Sequence, residues 1–263
     1  MNQYKEFLII PVLIIIVFVI TFFHEDKDTI EAPIATPSVP DFRYYTDVKK
    51  KKNDFFAFML PMITQANKAV MAERLFVEGL TIEHNLSEQR SSEQHLSDLH
   101  RLAKKYKVKE IDGTKQTLLS AESKDKLLKR IDAVPVSLIL AQSANESAWG
   151  TSRFARQANN FFGIWCFSKG CGITPLQRDE GLVHEVAKFD TVQDGVNYYI
   201  RMINTHSAYR TLRQIRATQR EKGEVLSGTK LADGLIKYSE RGEAYVQEIK
   251  AMIRTNKLAQ YNG

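Results

Sequence analysis

The sequence predicts a mainly α-helical chain with a small β-hairpin lobe, preceded by an N-terminal transmembrane helix. Apolar residues recur at three- and four-residue spacing over most of residues 41–258, which is the helical rhythm. Residues 159–189 break it with short extended runs and glycine turns. Residues 7–23 form an apolar run of 17 residues, interrupted only by Pro11 and Thr21, at the short end of what spans a bilayer.

That N-terminal run is read first. Lys5 and the terminal amine precede it, and Glu25, Asp26 and Asp28 follow, an arrangement that keeps the N-terminus in the cytoplasm and exports the rest. No small-x-small cleavage site follows Thr21-Phe22-Phe23-His24, so an uncleaved anchor is expected, with a cleaved signal as the alternative. The expected location is the inner membrane, single-pass, with the folded part in the periplasm; after signal cleavage it would be soluble there. Pro33, Pro37 and Pro40 then mark an extended linker over residues 24–40. This divides the chain into an anchor or signal (1–23), a linker (24–40), a helical extension (41–133) and a C-terminal domain (134–263).

Composition narrows the class. With 43% hydrophobic and 26% charged residues, the 263-residue chain has the balance of a folded protein. The net charge of +6 suits an anionic partner such as a membrane surface or an acidic polymer. No basic stripe interleaved with aromatics appears, which excludes nucleic acid. Lys49–Lys52 is read as a solvated segment beside the linker.

Helices follow in order. Met62, Ile63, Ala66, Val70 and Leu75 form one stripe, with Pro61 near its first turn; Leu96, Leu99, Ala103 and Tyr106 form a second. Leu118, Leu119, Leu127, Leu128 and Ile131 form a third, and Ser91, Ser92 and Thr114 are the expected starts. Val134-Pro135 interrupts, and Val136 to Ala148 reads as a helix with almost no polar face, hence buried. Residues 159–166 and Leu182 to Phe189 pair as the hairpin. Thr191-x-x-Asp194 has capping-box form, opening a helix with the stripe Val196, Tyr199, Ile200, Ile203. Tyr209, Leu212 and Ile215, then Val246, Ile249 and Ile253, complete the domain.

Cys166 and Cys171, in an exported chain, read as one disulfide; a reduced pair is the reading for a cytoplasmic one. Neither they nor His24, His84, His95, His100, His184 and His206 have metal-ligand spacing, so no metal and no cofactor are expected. The chemistry concentrates at Ala141-Gln142-Ser143-Ala144-Asn145-Glu146-Ser147-Ala148-Trp149-Gly150. A glutamate ending an apolar helix has its pKa raised by burial, as a general acid working near neutral pH requires. Helical spacing would put Gln142, Glu146 and Trp149 on one face. A solvent-facing helix-end glutamate is the alternative on spacing alone.

This segment resembles the Ala-Gln-x-Ala-x-Glu-Ser-x-Trp-Gly signature of the bacterial peptidoglycan N-acetylglucosaminidases, the family of flagellar-rod hydrolases and autolysins. Asn159-Asn160-Phe161-Phe162-Gly163-Ile164 resembles its Asn-Asn-(Leu)-Phe-Gly-Ile turn, and Lys188-Phe189-Asp190 with Gln193-Asp194-Gly195 resembles the strand and helix that follow. Tyr238 and Tyr245 resemble the tyrosines of its last motif. The likeness covers roughly residues 134–258 and implies a lysozyme-like α+β catalytic domain.

The resemblance implies an endo-β-N-acetylglucosaminidase, in which Glu146 protonates the leaving glycosidic oxygen and Tyr238 positions the N-acetyl group or stabilises developing charge. Asn160, Phe162 and Gly163 would shape the wall where sugars lie, and Trp149 would pack behind the acid. The family often has a second glutamate before the hairpin turn, where Gln177 stands here; glutamine cannot act as a base. Asp179, Glu180 or Glu185 could serve instead, Glu185 on the returning strand being preferred, or the substrate's acetamido oxygen could attack. A lytic transglycosylase and a non-catalytic peptidoglycan-binding module are the alternatives. The expected partners are peptidoglycan strands and, through residues 7–23, the inner membrane; the chain is expected to be a monomer.

Overall fold

The computed structural model describes residues 39–80, 89–109, 114, 120–176, 181 and 183–262. The apolar run 7–23, most of the proline-rich stretch, Leu118, Leu119, Gln177, Asp179 and Glu180 lie outside the described residues. Helix α1 spans Val48–Gly79, starting well before the expected position because the Asp47 side chain caps it, accepting from the amides of Lys49 and Lys50. The lysine run is therefore the helix's first turn rather than a linker flank, with Lys50 paired to Asp54 at 2.6 Å. Pro61 lies inside the helix, not in its first turn. Phe55, Met59, Met62, Ile63, Ala66 and Val70 face inward as a continuous stripe. Leu75, expected in that stripe, is 62% exposed: seven residues on from Val70 the inward position falls to Val77, which is buried.

Helix α2, Gln89–Lys105, buries Leu99 and Ala103 and is tied to α1 by Lys105 and by Tyr106 just beyond it, whose hydroxyl donates to Glu73 at 2.6 Å. Helix α3, Ala121–Arg130, is capped by Ser120 and not by Thr114, because the Ser120 hydroxyl accepts the amide of Ser123. Helix α4, Val136–Glu146, starts after Pro135, which offers no side-chain cap. Asn262 substitutes from the end of the chain, its Oδ1 accepting the Ser137 amide at 3.0 Å. Asn67 of α1 clasps both the N–H and the C=O of Val134, fixing the entry to α4.

Helix α5, Arg153–Ala158, ends on Asn159 in the left-handed region. The lobe that follows is a three-stranded antiparallel sheet of order β1-β3-β2, built from β1 (Trp165–Cys166), β2 (Gly172–Ile173) and β3 (Glu185–Ala187). The expected hairpin thus gains an extra strand, with Val186 opposite Trp165 on one side and Ile173 on the other. Gly172 is required there, since a Cβ would meet the Val186 carbonyl oxygen at 1.9 Å. Helix α6, Val192–Thr205, opens with the expected capping box. Helices α7 (Arg210–Glu221), α8 (Gly228–Leu231) and α9 (Glu243–Thr255) complete the domain. Helices α1, α8 and α9 all pack on α4, and α1 also packs on α6, so residues before and after 134 share one hydrophobic core. Among the described residues, no helix is long and apolar enough to cross a membrane.

Asp132, between α3 and α4, is a buried ionic hub. It accepts two hydrogen bonds from Arg220 at 3.0 and 2.7 Å and is also approached by Arg74 at 3.4 Å and Arg216 at 3.7 Å. Burial pushes its pKa up, but the Arg220 hydrogen bonds and the Arg216 and Arg74 charges outweigh it and hold the carboxyl below its usual range. Arg216 also donates to the carbonyls of Lys129, Arg130, Asp132 and Ala133, satisfying the end of α3. Because the folded-state pKa is lowered, this stabilisation is present above the ordinary aspartate range and lost as pH falls through the depressed value. Asp132→Asn, which leaves Arg216 buried without its counter-charge, is expected to cost about 3–5 kcal/mol in urea unfolding at neutral pH, and less in acid.

Candidate active site

Glu146 ends α4, whose residues Ser137 through Ala144 are all buried. The helix's negative end points at this carboxyl, which favours its protonated form. Past it the chain reverses abruptly: Ala148, Trp149 and Gly150 all have positive φ. Such residues persist only where their surroundings enforce them. Here the Ser147 hydroxyl donates to Ser143 and accepts the Gly150 amide. A Cβ on Gly150 would meet the Phe42 ring at 2.4 Å. The reversal takes Trp149 off the helical face expected for it. Its ring lies edge-on against Phe55 and Phe56, with the Lys52 ammonium 4.9 Å above it.

Gln142 does share a face with Glu146 and is fully buried. The Tyr199 hydroxyl donates to its Oε1, and its Nε2 donates to the Tyr245 hydroxyl at 2.9 Å. Since Tyr245 accepts from Gln142, its own O–H is left to donate to the Glu146 carboxyl. Burial raises the Glu146 pKa; the Tyr245 hydrogen bond and one from Asn145 oppose it, the Glu248 charge adds to the rise, and Arg241 counters it. The net direction is upward. Burial, with the charge of the same carboxylate, pushes Tyr209 up to about 12.

The loop after α5 brings Gly163 against the acid: a Cβ there would stand 3.1 Å from Glu146 Oε2, and its φ is +61. Asn160 and Phe162, expected along the sugar wall, are each 1% exposed. Asn160 donates to the carbonyls of Ile164 and Ala187 and accepts the amides of Phe162 and Ile164, so it shapes the loop from within. Phe162 stacks on Tyr199 with centroids 4.2 Å apart. Tyr238 is half-buried, donates to the Phe162 carbonyl at 2.7 Å, and stacks parallel on Tyr245 at 5.5 Å. Glu146, Gly163, Tyr238 and Tyr245 are thereby brought together. Glu185 occupies another place: it is buried in β3, and its carboxylate accepts the amides of Gly170 and Gly172 at 3.1 and 2.8 Å. The loop it ties is closed by a Cys166–Cys171 disulfide. Those sulfurs and the Glu185 oxygens lie close enough to suggest a metal cluster, yet the sulfurs are joined to each other and the carboxylate is engaged by amides.

Two features escaped sequence reasoning. Arg241 and Glu248 form an ion pair at 2.8 Å, straddling the start of α9, and both charges act on Glu146. Only the i, i+3 relation of Glu248 to Tyr245 could have placed it on the side of the acid. Trp165 is 50% exposed, two residues past Gly163, with the His184 ring 4.2 Å away.

Comparison with known proteins gives the family. Residues 121–258 match the family described as Mannosyl-glycoprotein endo-beta-N-acetylglucosaminidase, and the chain belongs to this glucosaminidase family. The match takes in α3 as well as the motifs downstream. Over 219 residues the chain is 32% identical to Protein bax of Escherichia coli (strain K12), covering 83% of this chain and 74% of that protein. No solved structure matches.

A raised folded-state pKa means that ionising Glu146 costs stability: that contribution is complete below the ordinary glutamate range and lost as pH rises through the raised value. Glu146→Gln is therefore expected to raise the melting temperature at neutral pH and to leave it unchanged in acid. Equal melting temperatures across that range would show the carboxyl to be freely solvated.

Proposed function

We propose that the protein cleaves β-1,4 glycosidic bonds of peptidoglycan as an endo-β-N-acetylglucosaminidase, with Glu146 as general acid. The observation that carries this is a half-buried carboxyl with raised pKa, at the end of a sheathed helix and addressed by one tyrosine hydroxyl. Protonated Glu146 delivers its proton to the leaving oxygen; Tyr245 stabilises the carboxylate so formed, its O–H already aimed by Gln142. Gly163 leaves the carboxyl open on one side, where any side chain would crowd it. The half-exposed Trp165, two residues along the chain from Gly163, suits the apolar face of a sugar ring. Tyr238 shapes the site through the Phe162 carbonyl.

Glu185, spent on two backbone amides, holds the β lobe in shape in this reading. The anomeric carbon is then attacked by the substrate's own acetamido oxygen, and water opens the resulting ring. Residues 7–23 would anchor the chain in the inner membrane and place this domain in the periplasm, beside its substrate.

Digestion of purified sacculi followed by mass spectrometry tests the reaction: reducing N-acetylglucosamine ends are expected, and anhydromuramic ends would make the enzyme a lytic transglycosylase. Glu146→Gln is expected to lower the rate at least about 100-fold; activity kept within a few-fold would remove Glu146 from the mechanism. Tyr245→Phe deletes a hydrogen bond that lowers the acid's pKa, so the alkaline limb of its pH–rate profile should move to higher pH.

A further inference from the structure

The β lobe carries four of the ten large hydrophobic side chains that are exposed among the described residues: Trp165, Phe167, Leu176 and Val183. Apolar residues scattered singly over a surface need no explanation, whereas a concentration of them marks a place where something binds. Two of the four are aromatic and flank Cys166: Phe167 is 73% exposed and Trp165 is 50% exposed.

The sheet register places them. Trp165 pairs with Val186 and Cys166 with Glu185. The Trp165 ring lies 4.2 Å from that of His184, its diagonal neighbour across the strands, so both rings share one face of the sheet. Continuing the register by one pair sets Phe167 level with His184, and alternation along an extended chain turns it to the face of Trp165. The loop that follows is braced. The Cys166–Cys171 disulfide closes it, and the Glu185 carboxylate accepts the amides of Gly170 and Gly172. Rings presented by a crosslinked loop lose little freedom when a ligand covers them, so the apolar area covered there converts well into affinity.

Where the strip begins identifies its occupant. Strand β1 starts two residues after Gly163, where a Cβ would stand 3.1 Å from Glu146 Oε2. Two extended residues reach at most about 7 Å, and two more carry the chain as far again. A glycan seated at Glu146 and following β1 outward would therefore meet Trp165 first and Phe167 next. Sugar rings offer apolar faces rimmed by hydroxyls, which match aromatic faces whose edges carry nitrogen, as those of Trp165 and His184 do. A lipid chain would use the faces and gain nothing from the edges.

Resting on the reading of Glu146 given above, we propose that Trp165 and Phe167 form a sugar-binding strip that extends the glycan site along β1. Phe167 then holds a sugar remote from the bond being cut, and long strands are preferred to short ones.

Peptide-free glycan strands of peptidoglycan, sorted by length, are the probes. They are titrated calorimetrically into the full chain in neutral detergent, with Glu146→Gln present to prevent turnover. Affinity is expected to rise with strand length and then level off. Phe167→Ala is expected to weaken binding of long strands about tenfold and to leave the shortest bound strand unaffected. Phe167→Tyr, which keeps the ring, should restore the preference for length. Phe167 is exposed, so neither change disturbs the core. Equal affinity at all lengths, or long strands bound equally by Phe167→Ala, overturns the proposal. So does self-association that Phe167→Ala abolishes in place of the length effect, which would give this face to a second copy of the chain. Mass spectrometry of the same strands after incubation with Glu146 intact separates the two readings. Length-dependent binding without cleavage removes the glycosidase and keeps the strip, whereas cleavage with length-independent binding does the reverse.

Discussion

Helix α4 gives up its solvent face. With Ser137 through Ala144 buried, the polar groups it carries depend on neighbours, and all but the Ser137 hydroxyl are partnered. Asn262 caps its start, Asn67 holds the residue before it, and Tyr199 and Tyr245 occupy the two ends of the Gln142 amide. The same enclosure raises the pKa of Glu146, because a carboxyl at the margin of a sheathed helix loses hydration that only a single tyrosine and Asn145 partly replace. Removing the sheath would normalise the carboxyl and expose the apolar helix together, so acidity and fold have one cause.

Enclosure demands a sharp exit. The chain leaves α4 through three consecutive residues of positive φ, two of which are not glycine. That arrangement is costly and is held by side chains from α1 and the turn before it: Phe42 fills the space a Gly150 side chain would need, and Phe55, Phe56 and Lys52 grip Trp149. The helical extension upstream of residue 134 thus supports the turn behind the acid.

Much of this was legible in the sequence, and the failures have physical reasons. Periodicity gave the stripes of α1, α2 and α6, and Thr191-x-x-Asp194 gave the start of α6, because spacing and capping are local. The start of α1 was missed because Pro61 looked like an opening residue and a lysine run like a solvated one, whereas Asp47 caps a helix that tolerates both. Trp149 was placed on the Glu146 face by counting helical residues across a point where the helix had already ended. Asn160 and Phe162 were motif residues whose work lies within the loop, which spacing cannot distinguish from work at a surface. The disulfide position was legible, yet the pairing of Glu185 with Gly170 and Gly172 needed the third strand, which two residues of sequence do not announce.

The groups that set the acid's protonation converge on one stretch, from Tyr238 to Glu248. Tyr238 and Tyr245 stack in parallel, Gly242 turns the chain with φ +52, and Arg241 reaches across that turn to Glu248. Arg241 lowers the Glu146 pKa and Glu248 raises it, so as an intact pair their effects oppose and the carboxyl responds chiefly to its burial and to Tyr245. Such a pair is nearly silent while whole and strongly felt when one member is lost, since the survivor's charge then acts alone. Electrostatic control of the acid is therefore separable from the packing that holds it: α4 and its sheath fix where the carboxyl is, and the segment before and within α9 fixes when it carries a proton.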